Sequence, residues 1–293
     1  YGAGEVRRII QSGGNASDEV ATALSASGCV DAANPSQPAS GLIPYDINVP
    51  FWSDGAAKER WYAIPDGTTI DVDAEGDWVF PIGSVLMKNF RINNALIETR
   101  LMMRHTDGEW AGYSYEWNAA GTDADRLFGG KVKDIGGQDW IFPDEAECLR
   151  CHTAVAGVAL GPETSQMNRD FTYPQTGRTD NQLVTYDAVS MFSSPLAGDP
   201  ATLPAMPDPM AETADLGARA RAYLHTNCAQ CHQPSGPTPV NLDLRYTTAL
   251  ANTNACDIAP TSDDLGVNMA RIIAPGDASR SVLVLRTGLR DTN

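Results

Sequence analysis

The run Cys148-Leu149-Arg150-Cys151-His152 recurs later in the chain as Cys228-Ala229-Gln230-Cys231-His232. Two intervening residues put both thiols on one side of a single helical turn, with a histidine directly behind them. This is the attachment signature of a c-type haem, whose two vinyl arms need two neighbouring thiols and whose iron takes the adjacent histidine. The two copies use four of the six cysteines and two of the four histidines. A four-cysteine zinc site and a pair of redox dithiols are the competing uses of C-x-x-C. Neither accounts for a histidine after each second cysteine, and zinc-binding pairs usually stand closer in sequence. The expectation is two covalently attached haem c groups on Cys148, Cys151, Cys228 and Cys231. His152 and His232 are the expected proximal iron ligands.

A chain of 293 residues has room for two domains around sizeable cores. Its apolar fraction of 42% and six tryptophans describe a globular protein. No apolar run is long enough to span a bilayer. A net charge of -16 argues against a nucleic-acid partner, which requires a basic face. It suits docking of a redox partner through a basic patch, and it equally serves solubility. Covalent haem implies export, so a periplasmic or extracellular location is expected. Tyr1-Gly2-Ala3-Gly4 shows no signal peptide, which reads as a mature or trimmed chain. An oxidising compartment permits disulfides, and a Cys29–Cys256 bridge is the pairing left outside the motifs.

Taken in order, residues 1–34 read as a short helix and loops, with Val6, Ile9 and Ile10 at helical spacing. Residues 34–50, rich in proline and small side chains, read as a surface crossing. From Phe51 to Asn118 the pattern turns to strands: 60–64, 85–91, 96–105 and 110–117. Pro65-Asp66-Gly67, Asn93-Asn94 and Thr106-Asp107-Gly108 supply the turns, so an antiparallel meander is expected. Residues 121–137 read as a glycine-rich connection without a phosphate loop or dinucleotide fingerprint. Trp140 to Pro143 leads into a helix that carries the first motif, its first turn favoured by Asp144, Glu145 and Glu147. Helices are also expected over 181–192, 215–228 and 279–286. The resulting fold class is α+β. An antiparallel β-rich domain over 1–195 carries haem 1, a proline-rich linker spans 196–210, and a mainly α, cytochrome c-like domain spans 211–293.

Beyond the haem motifs, Gly41-Leu-Ile-Pro-Tyr-Asp-Ile-Asn48, Phe51-Trp-Ser-Asp-Gly55, Glu98-Thr-Arg100, Gly112-Tyr-Ser-Tyr-Glu-Trp-Asn118 and Ile272-Ile-Ala-Pro-Gly-Asp277 are distinctive. On these residues the chain resembles a bacterial family of exported dihaem c-type cytochromes, from about Gly41 onward. The resemblance implies a β-rich N-terminal half, a cytochrome c-like C-terminal half and two covalent haems. It implies little about physiological role. In one respect the chain departs from that pattern: the methionine-proline stretch that usually follows the final helix is not found before Asn293.

Distal ligands decide between pure electron transfer and chemistry at an open iron. For haem 1 the candidates are His105, Met103 and Met167; for haem 2 they are Met206, Met210 and Met269. His225 sits three residues before Cys228, too short a tether to reach the far side of the same iron. Core packing is the commoner fate of methionine, and His105 equally reads as a surface residue beside a turn. No carboxylate pair has acid–base spacing, and the histidines leave no Ser/His/Asp set. Three functions follow: a dihaem electron carrier, a dihaem peroxidase-like enzyme with one open iron, and a haem-carrying subunit of a larger assembly with other haem proteins.

Overall fold

The computed structural model describes residues 20–289, so the expected helix around Val6, Ile9 and Ile10 lies outside the described residues. The described residues divide into two compact units, one running up to Met206 and the other starting at Pro207.

Six strands form the main sheet of the first unit: β1 (Ile43–Tyr45), β2 (Ala57–Ala63), β3 (Val85–Ile92), β4 (Ala95–Arg104), β5 (Trp110–Trp117) and β6 (Ala124–Arg126). Each pairs antiparallel with its neighbour in sequence, so the sheet is a meander in the order β6-β5-β4-β3-β2-β1. The β3–β4 hairpin turns on Asn93 and Asn94, at φ 49° and 67°. Positive φ at both central residues is the tight-turn geometry whose twist matches paired strands, and asparagine tolerates it better than most residues. A bulge between Phe90 and Arg91 adjusts the register beside this turn.

Both faces of the sheet are covered, which is why β2 and β3 do not alternate simply between apolar and polar residues. One face carries Trp61, Val85, Met87, Leu101, Tyr113, Tyr115 and Trp117, packed with Leu24, Cys29, Val30 and Leu42. The other carries Tyr62, Leu86 and Met102, packed with Trp78, Phe80, Met167, Tyr186 and Phe192. Trp78 meets Phe192 edge-on at 5.1 Å between ring centres and Tyr186 at 5.7 Å, geometries that add about 0.5–1.5 kcal/mol per pair beyond burial.

Helix α1 (Glu145–Cys151) lies against β5. Asp144 caps it: its carboxylate accepts from the Glu147 amide at 2.7 Å, and the Glu147 carboxylate accepts from the Asp144 amide at 2.9 Å. Two further helices, α2 (Thr164–Met167) and α3 (Gln182–Ala188), complete this unit. An antiparallel ribbon of Lys131–Asp134 with Asp139–Phe142 begins inside the stretch expected as a glycine-rich connection, and a second pairs Asp170–Tyr173 with Arg178–Asn181.

The unit boundary falls inside the proline-rich stretch, but residues 196–206 are not a free tether. Leu196 and Leu203 pack on the first core, and buried Met206 donates its amide to the Ser165 carbonyl at 2.9 Å. In the second unit, α4 (Leu216–Leu224) continues into a π-helical turn, His225–Ala229, and α5 (Val282–Thr287) closes the described chain. Short 3-10 turns and irregular segments make up most of the rest, so a mainly α domain is not what the structure contains. Its core holds Ala229, Leu242, Leu244 and Ala255, with Leu224, Cys228, Ile272, Ile273 and Leu283 against them. Among the described residues no helix is long and apolar enough to cross a membrane.

The expected Cys29–Cys256 bridge is not formed. Cys29 is a buried thiol of the first unit and Cys256 an exposed thiol of the second. Apolar burial satisfies Cys29 without a covalent partner.

Candidate haem attachment sites

Helix α1 delivers Cys148 into the apolar layer that contains Met102, while Cys151, one turn on, is half-buried. Gly112 of β5 makes this approach possible. A β-carbon at Gly112 would stand 2.7 Å from the Cys148 Cβ, 2.8 Å from its Sγ and 2.9 Å from the Met102 Sδ. Burial pushes the Cys148 thiol up to about 11, and Cys151 is also raised, chiefly by burial. Protonated, half-enclosed thiols are poor redox dithiols, which need a stabilised thiolate.

His152 ends the helix, its amide bonded to the Cys148 carbonyl at 3.0 Å. Its Nδ1 lies 2.6 Å from the Val158 carbonyl. A carbonyl only accepts, so Nδ1 carries the proton and Nε2 presents its lone pair. Burial first, then the positive charges of Lys88 and Arg100, lower the imidazole to about 4, the Val158 bond opposing them. The ring is therefore neutral, as a metal ligand must be. Val158 holds its carbonyl in place with φ 62°, a strained conformation for a β-branched residue.

The second motif straddles the end of the π-helical turn. Amides of Cys231 and His232 bond the Cys228 carbonyl at 3.1 and 2.9 Å, and the Leu244 amide bonds the His232 carbonyl at 2.9 Å. Thr238 Oγ1 donates to the Cys231 carbonyl at 3.2 Å and lies 3.4 Å from His232 Nδ1. A hydroxyl whose proton goes to that carbonyl accepts from Nδ1–H, an arrangement that leaves the Nε2 lone pair free. Burial and then Arg286 lower the His232 imidazole, and burial pushes the Cys228 thiol up to about 11. Gly236 is the counterpart of Gly112: a β-carbon there would stand 2.2 Å from the Cys231 carbonyl oxygen.

Each motif thus offers two neighbouring thiols and one neutral imidazole with an anchored Nδ1, which is the donor set a c-type haem requires. Among the described residues, no three His, Cys, Asp or Glu side chains converge as a metal site.

The distal candidates are scattered. Met103 packs on the sheet face opposite Cys148, and His105 Nε2 bonds the Tyr113 hydroxyl at 2.9 Å on that same side. Met167 is fully buried in the cluster that contains Cys148. Met206 belongs to the first unit, whereas Met210 and Met269 are exposed in the second. His225 accepts the Tyr246 amide on Nδ1 at 3.0 Å and so fastens the 246 loop. Met102, which meets Cys148 at Gly112, is not among the candidates, because those drawn from this stretch, Met103 and His105, belong to the other face of β4.

Comparison with protein-family models, curated proteins and solved structures returns no match for this chain.

Proposed function

We propose that the chain is a dihaem c-type cytochrome that passes electrons between redox partners outside the cytoplasm, with a cytochrome c-like second unit. One observation carries the reading. Both motif histidines have Nδ1 engaged, His152 by the Val158 carbonyl and His232 by Thr238. His152 thereby keeps its Nε2 lone pair for an iron, and the Thr238 contact is compatible with the same tautomer at His232. In this reading Cys148 and Cys151 hold the first haem and His152 its iron; Cys228, Cys231 and His232 hold the second. A bound haem supplies one-electron redox chemistry. The residues of this chain would anchor it through the paired thiols and keep the imidazoles unprotonated. The net charge of -16 supports docking on a basic patch of the partner.

The test is the mass and visible spectrum of the protein from a host that matures c-type cytochromes. Two covalent haems, both low-spin and inert to carbon monoxide and peroxide, are expected. A chain without haem refutes the proposal. One high-spin haem that reacts with peroxide replaces the carrier by a peroxidase-like enzyme.

A further inference from the structure

Three neighbouring strands place cations directly opposite one another: Arg60 of β2 faces Lys88 of β3, and Lys88 faces Arg100 of β4. Lys58 lies two residues from Arg60, on the same side of β2. Like charges directly opposite on a sheet repel, and sequences ordinarily avoid them. Here the row runs across the face that carries Tyr62, Leu86 and Met102, where Cys148 also packs. Beyond it on the same face comes Phe90 of another apolar cluster. The cations therefore stand between two greasy patches of one face.

Their carboxylates do not suffice. Glu98 is committed to Arg100 through two bonds, at 2.7 and 2.9 Å. Asp46 is shared, bonding Arg60 at 2.9 Å and Arg169 at 3.1 Å. Lys58 donates to the Phe51 carbonyl. Among the described residues Lys88 has no carboxylate partner, and the buried Nε of Arg60 has no acceptor. Leaving a buried donor unmet costs about 1–3 kcal/mol, and more for a charged group. This cost is maintained in a chain with a net charge of -16, where carboxylates are abundant. Burial, with Arg60, Lys58 and Arg100, holds Lys88 well below the usual lysine range, as expected of a cation missing its counter-ion. Arg100 lies two residues from Met102 on the same side of β4, and Met102 faces Gly112, where Cys148 packs, so the row borders the first motif.

We propose that Arg60 and Lys88 form a binding site for a carboxylate or similar oxyanion beside Cys148-Leu-Arg-Cys-His152. Two sources share that chemistry: a propionate of the first haem, which rests on the function proposed above, and a free oxyanion, which does not.

The experiment compares the mature protein with its Lys88→Met and Lys88→Arg variants. Haem stoichiometry, the reduction potential of each haem, and thermal unfolding with sulfate against chloride at equal ionic strength are measured. If the anion is a propionate, Lys88→Met keeps two haems but lowers one potential. The shift is about tenfold in the redox equilibrium, or roughly 59 mV for one electron, because the propionate charge is left uncompensated. Lys88→Arg restores it, and sulfate leaves the melting of the parent unchanged. If the anion is free, sulfate raises the melting temperature of the parent and of Lys88→Arg but not of Lys88→Met. Equal potentials in all three proteins, with no sulfate effect, overturn the site. A parent without haem refutes the cytochrome reading and removes the propionate arm, and the sulfate comparison alone then decides.

Discussion

Gly112 and Cys148 meet so closely that no side chain fits between them: a β-carbon on the glycine would lie 2.7 Å from that of the cysteine. The contact seats α1 on β5 and sets the position of the first motif. Gly112→Ala forces the helix away, and overpacking of this kind costs about 1–3 kcal/mol. The variant is expected to unfold at lower denaturant and to carry less haem on Cys148 and Cys151, with the second motif fully loaded. Unchanged stability would mean that the helix rides freely on the sheet.

Gly236 has a stricter neighbour. Its β-carbon would stand 2.2 Å from the Cys231 carbonyl oxygen and 3.0 Å from that of Gln233, and backbone cannot swing aside as a side chain does. Gly236→Ala should therefore reach or exceed the upper end of the ~1–3 kcal/mol range. The expected phenotype is loss of the second haem alone, read from the intact mass. Loss of both haems, or of neither, contradicts the local role.

Much of this was legible in the sequence. Strands expected over 85–91, 96–105 and 110–117 are found at Val85–Ile92, Ala95–Arg104 and Trp110–Trp117, because long runs bounded by Asn-Asn and Asp-Gly leave little choice. The helix into the first motif begins where Pro143 and Asp144 place it. What escaped was mostly exposed. The Lys131–Asp134 strand has no buried residue, so no apolar period marks it. The helix expected over 215–228 stops being α at Leu224, and its π-helical turn has no compositional sign. Lys88 did carry a signal: it replaces an apolar residue between Leu86 and Phe90 on one face. Only the cross-strand register reveals that Arg60 and Arg100 do the same beside it.

His105 and Met103 lie across the sheet from Cys148, so neither is placed to serve an iron held at the first motif. His105→Ala removes the bond to the Tyr113 hydroxyl and should cost about 1 kcal/mol. Met103→Leu conserves volume and should cost less than about 1.5 kcal/mol. Both are expected to leave the visible and near-infrared spectrum unchanged. Met102 and Met167 share the cluster of Cys148, so a thioether ligand would be exposed by Met102→Leu or Met167→Leu instead. A spectral change in His105→Ala overturns this assignment of faces.

Cys29 gives a pH dependence with a definite sign. Burial pushes its thiol from 9.0 up to about 11, with the Ser27 hydrogen bond acting in the opposite direction. A folded-state value above the unfolded one means that folding favours the protonated thiol. Its contribution is fully present below pH 9 and is lost as pH rises through about 11. The amount is on the order of 2–3 kcal/mol, at ~1.4 kcal/mol per unit. Tyrosines and lysines titrate in the same interval, so the measurement is the difference between the parent and Cys29→Ala in denaturant unfolding. The parent should lose more stability between pH 9 and 11. Alkylation checks the same point from the native side. Exposed Cys256 should react at mildly alkaline pH while Cys29 stays protected until the chain unfolds. Protection of both thiols until a reductant is added would mean instead that the two are bridged.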